Sequence, residues 1–198
     1  MRFNESNTVE AFVRDRLKAI GWEFIDHASL PRQPQEVLVE EHLRDALVRL
    51  NPTISERPER ADEVLYRLRA AIMTVRDTGL VKANEEFAAW LLGERSMPFG
   101  PNGEHVTIHL IDCEYLKKHR FVVTQQFTFR AGKTEKRADL VLLVNGMPLV
   151  VIEAKTPVRS SQSWLDAALQ VHDDYEKNVP ELFVPNVCSV ATEGKVYR

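Results

Sequence analysis

The chain has 198 residues, of which 44% are hydrophobic and 28% charged, a composition typical of a folded globular protein. The formal net charge of −3 excludes a wholly basic nucleic-acid binder. No apolar run approaches the roughly 18 residues of a membrane span and no signal peptide is recognisable, so we expect a cytoplasmic protein with no membrane partner. Cys113 and Cys188 lack zinc-type spacing and are predicted to be reduced and buried.

The first half of the chain shows helical periodicity. A first helix is predicted over residues 6–20, ended by Gly21, and a short strand follows over residues 22–25. Further apolar stripes predict three helices, over residues 35–50, 58–75 and 84–92. We interpret residues 34–98 as an inserted helical segment, because this part of the chain carries few residues with a chemical signature.

The second half favours β-strands. Apolar residues that alternate or run together predict strands over residues 106–111, 121–129, 140–144, 149–152 and 187–191, with a helix over residues 164–177 before the last one. Asn145-Gly146 joins the third and fourth of these runs and is a strong hairpin signal. This order of elements predicts an α/β fold in which a mixed central β-sheet is flanked by helices.

Charged residues stand at the ends of the two densest apolar runs. Asp139 opens the first run, and Glu153 and Lys155 close the second. Burying such charges beside a core costs free energy unless they pair or bind a metal ion. Because Glu153 and Lys155 are two residues apart, a strand would point both to the same face. The three side chains are therefore candidates for a shared site.

The loop between the two runs decides whether Asp139 joins the other two residues. A strict two-residue turn at Asn145-Gly146 pairs Val144 with Met147 and turns Glu153 away from Asp139. A three-residue loop sets Asp139 directly opposite Glu153. If the charges act together, we therefore predict an odd loop or a compensating bulge in this hairpin.

The three residue types point to phosphodiester hydrolysis. An Asp and a Glu on one face supply the hard oxygen ligands that suit Mg²⁺, and the backbone carbonyl of Ala154 would add a third ligand. Lys155 beside them can position or deprotonate a water and stabilise charge on a phosphate. The alternative is an ordinary ion pair at a strand end, because Glu-x-Lys tripeptides are common.

Longer stretches around these residues resemble a known family. Asp139, followed fourteen residues later by Glu153-Ala-Lys155, is similar to the PD-(D/E)XK nuclease pattern. Residues 143–155, the helix end at Gly21-Trp22 and the Gln125-Gln126-Phe127 segment resemble the N-terminal nuclease domain of the motor (R, HsdR) subunit of type I restriction endonucleases. The resemblance covers nearly the whole chain and is weakest over residues 34–103.

The resemblance implies a restriction-endonuclease-like fold, with residues 1–198 as a single nuclease domain. It also implies Mg²⁺-dependent cleavage of double-stranded DNA, with one or two metal ions held by Asp139 and Glu153 and with Lys155 as a catalytic residue. Glu10 would assist metal binding from the first helix, although a solvent-facing glutamate near a helix N-terminus is an equally open alternative. The host subunit would translocate DNA with ATP through motor domains absent from this sequence, in a complex with methyltransferase (M) and specificity (S) subunits.

The expected DNA contacts come from one helix and one basic segment. The family carries Gln-x-x-x-Tyr after the catalytic strand, whereas Gln170 and Tyr175 are five residues apart here, which places them about 140° apart on an α-helix. Either a residue is inserted or this DNA-facing pair is altered. Residues 115–137 hold seven Lys or Arg and one Glu, so we expect phosphate contacts from Lys133, Lys136 and Arg137, with a solvated hairpin as the alternative.

Two other functions stay open. One is a catalytically inactive nuclease-like module that binds DNA or docks within a complex. The shifted spacing of Gln170 and Tyr175 is its best support, and the intact Asp139, Glu153 and Lys155 argue against it. A repair nuclease of the same fold would differ in its substrate. Ala138 replaces the proline that names the motif, but this change affects little because the carboxylate of Asp139 is the ligand.

Overall fold

The structure is a computed structural model that describes residues 9–155 and 163–193. Its helices and strands, in chain order, are α1 (Ala11–Ala19), β1 (Glu23–Phe24), α2 (Glu40–Leu50), α3 (Pro52–Ser55), α4 (Arg60–Met73), α5 (Val75–Thr78), α6 (Leu80–Leu91), β2 (Ser96–Met97), β3 (Val106–Thr107), β4 (Phe121–Ala131), β5 (Thr134–Val144), β6 (Met147–Ala154), α7 (Trp164–Leu169), α8 (Glu176–Asn178) and β7 (Cys188–Thr192). A π-helical turn, Gln170–Tyr175, links α7 to α8. The start of the predicted first helix, residues 6–8, lies outside the described residues.

A mixed sheet organises the fold. Among the described residues its five strands have the order β1-β4-β5-β6-β7. The three central strands pair antiparallel, whereas β1 and β7 add in parallel at the two edges. The prediction of an α/β fold with a mixed sheet flanked by helices is therefore confirmed.

The larger core lies on one face of this sheet. Val122 of β4 and Val141 of β5 belong to the same buried cluster as Leu43 of α2, Leu65 of α4 and Phe87 of α6. Burial of such apolar side chains is the main stabilising contribution to the fold. The helical segment over residues 34–98 thus shares its core with the sheet.

The opposite face of the sheet carries a smaller core. Leu140 of β5 and Ile152 of β6 are buried there, and Val13 and Leu17 of α1 pack against the cluster that they form. Residues four apart lie on the same face of a helix, which explains why α1 can cover the sheet with one apolar stripe. This packing also fixes the position of Glu10, which immediately precedes α1.

The Asn145-Gly146 turn is anchored to the helical segment. Gly146 accepts a 2.8 Å hydrogen bond from the Val39 backbone N–H, and the Asn145 side chain donates to the Leu110 carbonyl at 3.0 Å. Gly146 has a φ of +83°, and a Cβ at this position would collide with the Val39 carbonyl. Only glycine therefore satisfies both the conformation and the close approach at this turn.

Three local expectations were wrong. The helix expected from residue 35 begins at Glu40, because Val39 instead hydrogen-bonds to the hairpin turn. The strand expected over residues 106–111 is reduced to β3, since Ile108 and Leu110 alternate into the core without pairing to the main sheet. Cys113 and Cys188 are exposed free thiols, one in a loop and one at the start of an edge strand.

No helix within the described residues is both long and apolar enough to cross a membrane.

Candidate active site

A bulge in the β5–β6 hairpin brings Asp139 and Glu153 opposite each other. The turn has two residues and pairs Val144 with Met147, but the register shifts beyond Leu143, so that Leu140 pairs with Ile152. The extra residue is Leu149, and with it the next position along the ladder sets Asp139 against Glu153. The predicted compensating bulge is confirmed.

The two carboxylates share a partly dry environment. Asp139 Oδ2 accepts a 2.8 Å hydrogen bond from the Ala154 backbone N–H, and the Glu153 side chain is 3% exposed. Burial, with the nearby charge of Asp139, raises the pKa of Glu153 to about 8. Burial likewise raises the pKa of Asp139, although the Ala154 N–H and the Lys155 charge oppose the shift. The site therefore favours a proton or a cation on this pair of acids.

Lys155 lies beside Glu153 and is held by a second residue. Its Nζ is 3.4 Å from Glu153 Oε1 and donates a 2.5 Å hydrogen bond to Gln170 Oε1. The side chain is 15% exposed, so it is largely buried beside the two acids. The strand periodicity that placed Glu153 and Lys155 on one face is confirmed by this contact.

The π-helical turn brings Gln170 and Tyr175 together in spite of their spacing. Gln170 Nε2 donates a 2.7 Å hydrogen bond to the Tyr175 hydroxyl, which in turn donates to the Arg137 carbonyl at 3.0 Å. A π-helix contains an extra residue per turn relative to an α-helix, so residues five apart meet on one face. Of the two alternatives for this pair, the structure fits an inserted residue.

The two residues of this pair differ in burial, since Tyr175 is buried and Gln170 is half-buried. Tyr175 is 5% exposed, and burial raises the pKa of its hydroxyl. The polar atoms of both side chains are directed to Lys155, to each other and to the Arg137 backbone. Tyr175 is therefore buried, whereas the half-buried Gln170 accepts the hydrogen bond from Lys155.

Glu10 reaches the same site from the start of α1. It is 3% exposed, so it is not the solvent-facing glutamate of the alternative interpretation. Its Oε2 accepts hydrogen bonds from Gln126 at 2.9 Å and from Gln125 at 3.5 Å. Burial raises the pKa of Glu10, and the charge of Asp139 adds to this shift. The binding of Gln125 and Gln126 to Glu10 was not predicted from the sequence. The available signal was two consecutive amide side chains in a strand that otherwise alternates apolar and polar residues.

The basic segment over residues 115–137 is largely neutralised. Four of its cations form ion pairs: Lys118 with Asp112, Arg120 with Glu23, Arg130 with Glu135 and Lys136 with Asp174. Lys133 and Arg137 are exposed, and within the described residues no ion-pair partner is found for either. The accessible positive charge next to the site is therefore smaller than the sequence suggests.

The acids fit a divalent cation. Glu153 Oε2 is buried without a hydrogen-bond partner in the described part of the chain, directly beside a second carboxylate. Mg²⁺ commonly takes one or two protein carboxylates and completes its octahedral shell with water and phosphate oxygens. Within residues 9–155 and 163–193, no three His, Cys, Asp or Glu side chains are arranged to hold a metal ion, so Glu10 does not complete a three-acid set here.

Comparison with known proteins gives the family. A family model described as type I restriction enzyme R protein N terminus matches residues 2–198. The chain is 33% identical, over 97% of its length, to the type I restriction enzyme HindI endonuclease subunit of Haemophilus influenzae. It is 26% identical, over 98% of its length, to the putative type I restriction enzyme MjaIXP endonuclease subunit of Methanocaldococcus jannaschii. The chain spans 19% of the length of each of these relatives. The chain therefore belongs to the family of type I restriction enzyme R protein N termini, the family that its motifs resemble.

Proposed function

We propose that this chain is the nuclease domain of a type I restriction R subunit and that it cleaves double-stranded DNA in a Mg²⁺-dependent reaction. The observation that carries the proposal is the bulge at Leu149, which sets Asp139 opposite Glu153 with Lys155 alongside. This arrangement agrees with a PD-(D/E)XK core. Family membership supports a role in a restriction system.

Asp139 and Glu153 would hold the metal ion, with the Ala154 carbonyl as a third ligand. Glu10 would assist from outside this ligand set, through the glutamine amide that it accepts from. Bound Mg²⁺ would act as a Lewis acid that stabilises negative charge on the scissile phosphate. Glu153 is well suited to this role because one of its oxygens is buried without a hydrogen-bond partner among the described residues. Its raised pKa means that the ionised carboxylate is unfavourable here unless a cation binds to it.

Lys155 would act on the substrate rather than on the metal ion. An ammonium next to the carboxylates can stabilise charge on a phosphate oxygen and orient the attacking water. Gln170 fixes its Nζ by a 2.5 Å hydrogen bond, and Tyr175 fixes Gln170. Lys133 and Arg137 are the accessible candidates for phosphate contacts, whereas Lys136 would first have to leave Asp174.

The remaining functions belong to a longer protein and its partners. The relatives named above are about five times as long as the matched region, so ATP-driven translocation would be carried out by motor domains outside this chain. Methyltransferase and specificity subunits would complete the complex and select the DNA site, in the cytoplasm.

A plasmid cleavage assay on the assembled complex tests this proposal. We expect Asp139→Ala and Lys155→Ala each to reduce cleavage by at least about 100-fold, because the first removes a ligand of the metal ion and the second removes a cation that acts on the reacting phosphate. Asp62→Asn, which removes an exposed acid paired with Arg44 on the helical segment, is the matched control and should cleave normally. Unchanged cleavage in both site variants would refute the enzyme and leave a binding module.

A further inference from the structure

A glutamine in the strand opposite Asp139 adopts an unusual backbone conformation. Gln126 has a φ of +56°, and in the described residues only Asn145 shares a positive φ among non-glycine residues. Asn145 belongs to a tight Asn-Gly turn, where such a conformation is expected. Gln126 instead lies within an 11-residue strand. The left-handed conformation is unfavourable there, because the Cβ of any residue other than glycine comes too close to the backbone. Strain of this kind is often found at functional sites.

The register places this strained residue directly against Asp139. The β4–β5 ladder pairs Gln125 with Leu140 and Phe127 with Ala138, and it skips the position between them, where Gln126 faces Asp139. The same alignment holds on both sides of the gap, so no residue has been inserted in either strand. The interruption is therefore specific to this one pair of residues.

Both strands exchange faces at this position. Val122 and Phe127 of β4 are an odd number of residues apart yet lie in the same core, and so are Ala138 and Val141 of β5. In a regular strand, residues separated by an odd number point to opposite faces. The left-handed conformation of Gln126 thus accompanies a switch in the ribbon that sets the direction of Asp139.

The side chain of Gln126 is held by one acid of the site and faces another. Its Nε2 donates a 2.9 Å hydrogen bond to Glu10 Oε2, and its position opposite Asp139 in the ladder brings the amide close enough to lower the pKa of that carboxyl. One neutral donor group therefore lies between two acids that would otherwise repel each other. Partners of metal ligands commonly fix the direction of the ligand in the same manner.

We propose that Gln126 is a positioning residue for the metal site: its left-handed backbone turns the ribbon at Asp139, and its amide, held by Glu10, orients the Asp139 carboxylate that it faces. The inference rests on the proposed function, since it assumes that Asp139 holds a divalent cation. Glycine tolerates the left-handed conformation without an amide, and asparagine tolerates it with a shorter one. These two substitutions therefore separate the backbone role from the side-chain role.

The test is calorimetric titration of Mn²⁺ into the 198-residue chain, with thermal unfolding of each variant measured without metal. We expect Gln126→Gly to weaken Mn²⁺ binding by at least about tenfold while its Tm is no lower than that of the wild type. Gln126→Asn should bind Mn²⁺ within about threefold of the wild type, because it restores an amide. Asp139→Ala should abolish binding.

Each other outcome overturns a defined part of this account. If Gln126→Gly binds Mn²⁺ like the wild type while Asp139→Ala does not, the metal site stands and the role of Gln126 is refuted. If Gln126→Asn is as weak as Gln126→Gly, the amide is not the cause. If the Tm of Gln126→Gly is several degrees below that of the wild type, the conclusion that the backbone of Gln126 is strained is wrong. If the wild type binds no Mn²⁺, or Asp139→Ala binds it equally well, the proposed function and this inference both fail.

Discussion

Glu153 shows how a residue can serve a site at a cost to stability. Its side chain is 3% exposed, one of its oxygens has no hydrogen-bond partner among the described residues, and Asp139 lies beside it. Lys155 offsets only part of this cost, at a distance of 3.4 Å. An apolar or neutral residue would be more favourable here. Such a buried acid is understandable when its partner is a cation that binds later.

The stability of the chain should therefore depend on pH through Glu153. The pKa of Glu153 is about 8 in the folded chain and 4.5 in its ordinary state, so the folded state keeps a proton that the unfolded state has released. The contribution of Glu153 to the free energy of unfolding is fully present below pH 4.5, and it is lost progressively as the pH rises from 4.5 through about 8. Glu153→Gln should consequently match the wild type near pH 5 in EDTA and exceed its Tm by at least about 2–4 °C near pH 8.5, which corresponds to about 1 kcal/mol for a chain of this size.

Thermal unfolding across this pH range checks the prediction. Asp62→Asn is a suitable control, because Arg44 lowers the pKa of Asp62 instead of raising it. The Tm difference between Asp62→Asn and the wild type should therefore not increase as the pH rises from 5 to 8.5. A Tm difference between Glu153→Gln and the wild type that stays constant from pH 5 to pH 8.5 would contradict the assignment of a raised pKa to Glu153.

At the scale of elements, the hairpin bulge was predictable and its position was not. The charges at Asp139 and Glu153 required one extra residue in the β5–β6 hairpin if they were to meet, and Asn145-Gly146 favoured a two-residue turn. Placing the bulge at Leu149 depends on how the strand packs. Leu149 is 7% exposed and its carbonyl accepts from the Val187 N–H, a contact distant in sequence. The local pattern therefore predicted that the hairpin needs one extra residue, and contacts with residues distant in sequence determine that this residue is Leu149.

Two other elements show where local pattern fails. The apolar spacing of residues 164–177 predicts a helix but cannot distinguish a π-helical turn from an α-helix, since both bury one stripe. Gln126 carries no sequence signal for a positive φ, because its neighbours favour a strand. The acids and Lys155 could be found from sequence, whereas the groups that orient them required the structure.

Deleting His172 should convert the π-helical turn into an α-helix. The residue is exposed, and its deletion would bring Gln170 and Tyr175 to a spacing of four, at which an α-helix also places them on one face. We expect the hydrogen bond between them to survive, Tm to stay the same or rise by about 2–4 °C, and cleavage by the assembled complex to remain within about threefold of the wild type, because π-helical turns are rare and unfavourable.

Deletion of Arg67 is the matched control for this experiment. Arg67 is exposed in α4, which has no π-helical turn to absorb the change, so the buried residues that follow it would rotate by about 100°. The control should unfold at a much lower temperature. If the deletion of His172 lowers Tm as much as the control, the turn does not hold a removable extra residue.

At the scale of the whole molecule, charge is distributed so that DNA binding by the chain alone should be weak. The net charge is −3, and four of the seven cations in the basic segment are paired with acids. Affinity for DNA comes mainly from cations that replace counterions on phosphates. The longer protein and its partner subunits would then supply most of the affinity, and this domain the chemistry.

Salt dependence of duplex binding measures how many cations of the chain contact phosphate. If Lys133 and Arg137 each neutralise one phosphate, the double variant Lys133→Ala/Arg137→Ala should reduce the slope of log K against log salt by about 1.8. Fluorescence anisotropy with a labelled duplex in EDTA gives this slope. Arg44→Ala, which removes a cation paired with Asp62, should leave it unchanged. An unchanged slope in the double variant would place the DNA on another surface.

Anomalous diffraction from a crystal of the chain grown with Mn²⁺ tests the metal site most directly. We expect a peak between Asp139 and Glu153, about 2.1–2.2 Å from an oxygen of each carboxylate, with Lys155 beside the ion and outside its coordination shell. A crystal that contains Mn²⁺ elsewhere, or none, while these two carboxylates remain bound only to each other and to protein groups, would contradict it.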